Sequence, residues 1–218
     1  YLFGANAGPV TVTGAEPGEA VYLGWKPDPP LIAFLGSPEL LHELAFDARV
    51  VLVRERAWRH DLVAGRFAFV LIETVWHVDR REWRYALVHD GPARPEAEAL
   101  LTRCREIGVP VVVWFREEPD NYEHFSWLAR HAQVVYAVDG HTVDRFRNDY
   151  PSTPARVLEP AIQPALHNPV RPVSLQKAQL KTKVLFDGWW ERVEGAADDP
   201  LLAALRDRLR IVESEWDF

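Results

Sequence analysis

A group of charged residues directly follows one of the most apolar runs in the sequence. Arg116, Glu117 and Glu118 come immediately after VPVVVWF, within FREEPDNYEHF. A turn after a buried strand does not need consecutive charges, and a carboxylate there could accept a proton from a substrate hydroxyl. Alternatively, the two glutamates stabilise the positive end of a helix near EHFSWLARHA. The sequence leaves both interpretations open, with Glu117 and Glu118 as predicted catalytic residues and Arg116 as a predicted substrate-binding residue.

Polar residues follow the neighbouring apolar runs in the same way. Glu73 and Trp76 follow FAFVLI, Asp139 and His141 follow QVVYAV, and Gln163 comes shortly after ARVLEPA. Ligands of open parallel sheets bind outside the carboxyl ends of the strands, so these positions are predicted to bind substrate. An Asp before a helix is an N-cap by default, which is the favoured interpretation of Asp139 and leaves His141 on the surface. A catalytic role for Asp139 is the alternative.

Aromatic side chains near these strand ends are candidates for stacking against a sugar ring. Trp76 and Trp83 lie in polar surroundings in TVWHVDRREWRYALVHDG, and Arg84 beside them is a predicted substrate-binding residue. Trp114 and Tyr122 are further candidates. Most of the nine tryptophans are expected to pack in the core or at its edge.

Apolar runs alternate with helical patterns along the chain and must position these residues. Helix starts are indicated by Ser37 with Pro38 and by Pro95, and a helix end by Gly108. This alternation predicts an α/β fold with a doubly wound, Rossmann-like parallel sheet. The predicted strands are LIAFLG, RVVLVRE, FAFVLIET, VPVVVWF, QVVYAVDG and ARVLEPA, and the longer predicted helices are SPELLHELAF, PEAEALLTRCREIG, EHFSWLARHA and HTVDRFRNDYP.

Composition predicts four regions along the chain. Residues 1–30 are rich in proline and contain short alternating runs, which indicates a hairpin-like appendage before a domain over 31–172. A polar linker is expected over 173–181. KVLFDGW, PLLAALRDRL and RIVESEW then predict a single strand-helix-strand unit, so residues 182–218 are expected to begin a second α/β domain whose remainder lies outside these 218 residues.

Charge and missing motifs argue against several classes of protein. The net charge is −7 and the basic residues form no stripe, so no nucleic-acid partner is expected. No apolar run approaches the roughly 20 residues that span a bilayer, and the single Cys104 fits a reducing, cytoplasmic setting. The dinucleotide, phosphate-loop and hydrolase motifs are missing, as is a metal-binding His spacing, so no cofactor or metal is expected.

Three longer blocks carry a further pattern between residues 31 and 190. LIETVWHVDRREWRYAL places an acid before a Trp and a Trp-Arg pair, and IGVPVVVWFREEPDNYEHF leads from a Trp to a basic residue, two acids and a Pro. VVYAVDGHTVDRFRNDY then precedes VLEPAIQPALHNP. In this order the blocks resemble the CgeB-type family of spore-maturation, glycosyltransferase-like proteins, and KVLFDGWW stands where that family's second domain opens. Phe115 departs from the pattern, because an amide side chain is expected there.

The resemblance implies a GT-B arrangement of two Rossmann-like domains, in which residues 31–172 bind an acceptor and residues 182–218 begin the donor side. It implies transfer of a sugar from a nucleotide-sugar donor to a glycan or surface-polymer acceptor. The acidic ribose-binding motif of the donor half is missing, so transfer by this chain alone is not expected, and its partner would be the rest of a longer chain. The residues that match the family blocks are Glu73, Trp76, Trp83, Arg84, Trp114, Arg116, Glu117, Glu118, Asp139, Gln163, His167 and Asn168.

Two other functions remain open. A non-catalytic α/β module that binds a glycan or a protein partner would fit the missing donor half. A small-molecule enzyme of another doubly wound family is the third hypothesis, since this fold hosts many chemistries.

Overall fold

The computed structural model describes residues 19–20, 22–24, 26–78, 82–117, 119–161, 163–164, 184–187 and 209–212. The chain divides into two compact units, Tyr1–His167 and Asn168–Phe218. Glu118, the predicted linker 173–181, and His167 and Asn168 lie outside the described residues. The predicted helix at PLLAALRDRL does too, except for its last residue, Leu209, which begins a strand. No helix of the described part is long and apolar enough to cross a membrane.

One sheet organises the first unit. Its strand order is β1-β3-β2-β4-β5-β6-β7, and every neighbouring pair is parallel except β1 with β3. The six parallel strands confirm the predicted α/β, Rossmann-like fold. The strands are β1 Glu19–Ala20, β2 Leu31–Leu35, β3 Arg49–Leu52, β4 Val70–Glu73, β5 Val111–Phe115, β6 Val134–Ala137 and β7 Ala155–Val157.

Helices connect the parallel strands. Ser37 caps the first helix by accepting a hydrogen bond from the Leu40 N–H, as its sequence predicts. Gly108 ends the third in the left-handed region, at φ 69°, where glycine carries no Cβ penalty. The helices are α1 Pro38–Leu44, α2 Trp58–Asp61, α3 Arg94–Glu106, α4 Tyr122–Phe125 and α5 Gly140–Asp149, with 3-10 turns at Pro119–Asn121 and Ser126–His131.

Side chains of the central strands alternate between two hydrophobic clusters, one on each face of the sheet. In β2, Ala33 and Leu35 belong to the larger cluster, whereas Ile32 and Phe34 belong to the smaller one. Leu40 of α1 packs in the smaller cluster, and the buried residues of α2 to α5 pack in the larger one. Helices therefore lie on both faces of the sheet, because the chain reverses its winding direction between β3 and β4. Among the described helices, α1 alone packs on the side of the smaller cluster, and the β5 and β6 side chains on that side stay partly exposed.

Two aromatic residues differ from the sequence expectation. Trp83 was expected in polar surroundings but is 1% exposed, and its indole Nε1 donates to the Val53 carbonyl at 2.8 Å. The prediction was wrong because a backbone φ of 55° at Trp83 turns the loop so that the ring enters the core. Phe115 packs edge to face with Phe125 and Phe146, so this position faces the core and not the rim.

The ends of the chain are described in part. The strand Glu19–Ala20 of the predicted 1–30 appendage joins the edge of the main sheet through antiparallel pairing with β3. In the second unit, β8 (Val184–Asp187) and β9 (Leu209–Val212) pair in parallel. A parallel pair requires a crossover connection, as the predicted strand-helix-strand unit has.

Candidate functional site

The candidate site lies where the winding of the sheet reverses. The chain runs from β2 to β3 on one side, and β4 then pairs with β2 on the other side. The carboxyl ends of β2 and β4 therefore flank the topological switch point, where open α/β sheets bind their ligands. Gly36 and Ser37 directly follow β2, Glu73 ends β4, and Arg116 directly follows β5.

Glu73 is a buried carboxylate with a donor at each oxygen. Its Oε2 accepts hydrogen bonds from the Ser37 N–H at 2.7 Å and from the Ser37 hydroxyl at 2.6 Å. Its Oε1 accepts from Arg116 Nη1 at 2.6 Å. Glu73 is only 4% exposed, and an unpaired charge at that depth would be strongly unfavourable. The carboxylate therefore fixes the start of α1 and the Arg116 side chain in one arrangement.

Glycine is required at position 36 by this contact. A Cβ built on Gly36 would clash with Cζ of Phe34 and would lie 2.7 Å from both Cβ and Oε2 of Glu73, closer than real Cβ atoms approach their neighbours. The missing side chain lets the end of β2 pass beside the carboxylate. The segment LGSPE therefore both contacts Glu73 in the site and begins α1.

Arg116 joins the carboxyl ends of β4 and β5. Its backbone N–H donates to the Thr74 hydroxyl at 3.1 Å, next to Glu73 on β4. Its guanidinium lies 5.0 Å from the centre of the Trp114 ring, and a cation over an aromatic face is attracted to it. The Arg116 side chain remains 30% exposed. One side of the guanidinium is thus held by the protein, and the remainder is accessible to a ligand.

Glu117 follows Arg116 at the same edge of the sheet. It is partly buried, and its Oε2 accepts a hydrogen bond from Asn121 Nδ2 at 3.0 Å. Asn121 belongs to the 3-10 turn that precedes α4. The adjacent Glu118, the second predicted catalytic glutamate, lies outside the described residues.

Asp139 follows β6 and caps α5. Its Oδ1 accepts from the Thr142 N–H at 2.8 Å, and its backbone is extended at φ −138°, ψ 159°. This hydrogen bond is the main reason why the pKa of Asp139 lies below its ordinary value. The N-cap interpretation is confirmed, and His141 lies exposed in the first turn of α5, as that interpretation predicts.

Trp76 contributes a partly exposed aromatic surface just after β4. The His124 ring lies 5.1 Å away, centre to centre, and Phe125 meets Trp76 edge to face at 5.2 Å. His124 is exposed, so the pair presents aromatic area to solvent beside buried Phe125. Tyr85 completes the group, with its ring 6.4 Å from Trp76.

Two predicted binding residues lie apart from this group. Gln163 donates through Nε2 to the Glu43 carbonyl at 3.3 Å and to Asp47 Oδ2 at 3.0 Å. Both partners lie beyond the first turns of α1 and before β3, toward the amino ends of the strands. Arg84 is exposed, and its guanidinium lies 5.3 Å from the Tyr85 ring.

Several residues of the site were not predicted from the sequence as ligand-binding residues. Ser37 was assigned only as a helix cap, although its hydroxyl also donates to Glu73. Asn121 and His124 follow no apolar run, and only their nearness to FREEP indicated the region. Among the described residues, no group of three or more His, Cys, Asp or Glu is placed to hold a metal ion.

The fold and site define a doubly wound α/β protein with a polar cluster at its switch point. No protein-family model, curated protein or solved structure matches the chain.

Proposed function

We propose that the chain is the acceptor-binding part of a GT-B glycosyltransferase, which transfers a sugar from a nucleotide-sugar donor to a glycan or surface-polymer acceptor. The observation that carries this proposal is the Ser37–Glu73–Arg116 cluster at the switch point, with Glu117 following it. A sugar acceptor presents many hydroxyl groups, which need charged and polar partners held in fixed positions. The cluster has this chemistry.

The aromatic group supports a carbohydrate acceptor in particular. Trp76 and His124 present ring surface at the same edge of the sheet as the polar cluster, since Trp76 shortly follows the end of β4. The apolar face of a sugar ring can pack on such a surface while its hydroxyls bond to neighbouring charges. The ordered sequence blocks that resemble the CgeB-type family point to the same class, although the resemblance rests on sequence alone.

Within this proposal, Glu117 is the acid that contacts the acceptor hydroxyl. Glu117 directly follows Arg116 at the carboxyl end of β5 and lies partly buried there. Glu73 instead orders Ser37 and Arg116, and Asp139 caps α5 through Oδ1. The parallel β8–β9 pair fits the opening of a donor-side domain. A nucleotide-sugar would be the donor substrate, and no resident cofactor is required.

A second candidate function is a non-catalytic module that binds a glycan or a protein partner. The hydrogen bonds of Glu73 and Asp139 favour such a binding module, because both acids order the backbone at the start of a helix. Binding and transfer are therefore tested separately.

The first experiment measures sugar binding to the chain. Ligand-observed NMR with a panel of mono- and oligosaccharides, supported by tryptophan fluorescence, should identify an acceptor, and Trp76→Ala should weaken its binding about tenfold or more. Trp76→Phe keeps an aromatic surface and should weaken binding less. If no sugar binds, or if Trp76→Ala binds as well as wild type, the proposed acceptor site is wrong.

The second experiment separates the two candidate functions. A longer chain that carries both domains is used, and release of nucleoside diphosphate from UDP-, GDP- and dTDP-sugars is followed with the bound acceptor present. Glu117→Gln should reduce release about 100-fold, in the range of a lost general base, whereas the exposed Asp120→Asn on the neighbouring turn should not. Acceptor binding without any release, in a chain that carries both domains, would favour the binding module.

A further inference from the structure

A second cavity lies at the opposite edge of the sheet from the candidate site. It has a volume of about 300 Å³ and opens beside the amino ends of β5 and β6. Arg105, Arg130 and His131 line it, and the described lining includes no Asp or Glu. In a chain with a net charge of −7, this is a local concentration of positive charge.

Two successive connections bring these side chains together. Arg105 lies in the last turn of α3, where Gly108 turns the chain toward β5. Arg130 and His131 end the 3-10 turn that leads to β6. Arg105 Nη2 lies 3.3 Å from His131 Nδ1. Because a guanidinium only donates, His131 Nδ1 accepts, and the neutral ring carries its proton on Nε2.

The positive charge of this cavity is not compensated by neighbouring acids. Within the described part of the chain Arg105 and Arg130 form no ion pair, whereas Arg103 on the same helix pairs with Glu106. Glu98 is the acid whose charge raises the pKa of His131, and it pairs with Arg94 at 2.8 Å. Arg105 uses one donor on His131, and Arg130 lies 5.9 Å from the centre of the Tyr150 ring. The remaining N–H donors of both guanidinium groups can bind another partner.

The carbonyl end of α3 does not account for these cations. Its last carbonyls, on residues 103 to 105, accept backbone hydrogen bonds from Ile107, Gly108 and Val109. The helix dipole contributes about half a negative charge at this end, which is less than the charge of two arginines. A net positive potential remains in the cavity.

We propose that this cavity binds a phosphate group or a similar tetrahedral dianion, held by Arg105 and Arg130. Guanidinium groups recognise such oxyanions through paired hydrogen bonds, and the volume accommodates one phosphate or a pyrophosphate. The site is independent of the proposed sugar acceptor site, because it lies at the amino ends of the strands.

His131 makes the binding depend on pH. In the free chain its pKa is lowered, first by burial and then by Arg105, with Arg130 and Arg94 acting in the same direction and Glu98 opposing them. A bound dianion favours the protonated ring and raises this pKa. The affinity should therefore increase as the pH falls from 8 toward 5.5.

Sulfate is a suitable first probe, because it stays a dianion over this pH range. Histidine and arginine NMR signals are followed during sulfate titration, with chloride at equal ionic strength as the reference. Arg105→Gln and Arg130→Gln should each weaken binding about tenfold, as loss of a charge-assisted hydrogen bond requires. Arg103→Gln removes the same charge from the same helix and should weaken binding less than twofold.

His131→Gln should remove most of the pH dependence while leaving binding at pH 8 nearly unchanged. The proposal is overturned if sulfate gives no saturable shift, or if Arg103→Gln weakens binding as much as Arg105→Gln does. Inorganic phosphate, pyrophosphate and a nucleoside diphosphate then distinguish the source of the phosphate group. Because Arg116 and Glu117 lie at the other edge of the sheet, their variants should bind sulfate as wild type does. The sulfate titration does not test sugar binding, so the two proposals can fail separately.

Discussion

Replacing Arg116 by Gln should destabilise the chain, because it removes the charge that compensates buried Glu73. Breaking one side of a buried ion pair costs about 3–5 kcal/mol. The Glu73 side chain is 5% exposed but that of Arg116 is 30% exposed, so water can replace part of the lost interaction. Both donors of Ser37 also remain. We therefore expect the free energy of unfolding to fall by about 2–3 kcal/mol.

Urea and thermal unfolding measure this loss. For a chain of this size each kcal/mol lowers the midpoint by about 2–4 °C, so Arg116→Gln should unfold about 4–12 °C below wild type. The matched control is Arg103→Gln, which breaks an exposed ion pair at 3.5 Å and should change stability by less than about 0.5 kcal/mol.

A double-mutant cycle identifies the cause. Glu73→Gln keeps the size of the side chain but removes the charge that needs compensation, so Arg116→Gln should cost less than about 1 kcal/mol in that background. The reasoning is refuted if Arg116→Gln costs the same in both backgrounds, or no more than Arg103→Gln in the wild-type chain. Either result would mean that solvent, and not Arg116, compensates Glu73.

Three further predictions concern neighbouring features. Gly36→Ala should lower the free energy of unfolding by about 1–3 kcal/mol in urea, because the new Cβ meets the Phe34 ring and Glu73, and a wild-type midpoint would contradict the required close approach. Asp139→Ala should lower the free energy of unfolding by about 1 kcal/mol at pH 7, and Asp139→Asn should lower it less. Because the pKa of Asp139 is lowered in the folded chain, its ionised form stabilises the fold above the unfolded pKa of about 3.9. The stability advantage of Asp139 over Asn should therefore shrink when urea unfolding is repeated at pH values falling through and below about 3.9. Burial raises the pKa of the Cys104 thiol to about 11, so iodoacetamide at pH 8 should alkylate it at least about 100-fold more slowly in the folded chain than in urea, and rates within tenfold of each other would contradict its burial.

Most of the sheet could be predicted from the sequence because its strands are short apolar runs separated by helix starts and stops. The helix predicted from Pro95 to the glycine at 108 occurs as Arg94–Glu106, within one residue at its start. EHFSWLARHA was less predictable. It forms one turn of α4 and then a 3-10 turn, in which Ser126 to Ala129 are all buried, so it has no single polar face that a helical pattern could reveal.

The candidate site could be predicted only in part. Glu73 and Arg116 were identified because each follows a strand, but a strand-end position does not indicate which residue pairs with which. The contact of Ser37 with Glu73 could not be predicted, because the role of helix cap already accounts for a serine at this position in the sequence. Trp83 was misassigned because its sequence neighbours are polar, whereas its burial depends on a left-handed backbone turn that no local composition indicates.

The arrangement of the acids decides how the proposed chemistry would be divided among them. A proton acceptor must change its charge during the reaction, and a change at Glu73 would disturb its hydrogen bonds with Ser37 and its ion pair with Arg116. A fixed carboxylate of this kind is better suited to hold Arg116 toward a ligand than to exchange protons. Glu117 is partly buried at the rim, and its Oε2 accepts a hydrogen bond from the amide of Asn121, which is a neutral donor. Under the proposed function, substitution of Glu73 should therefore affect ligand binding and stability together, whereas substitution of Glu117 should affect the rate and leave the fold intact.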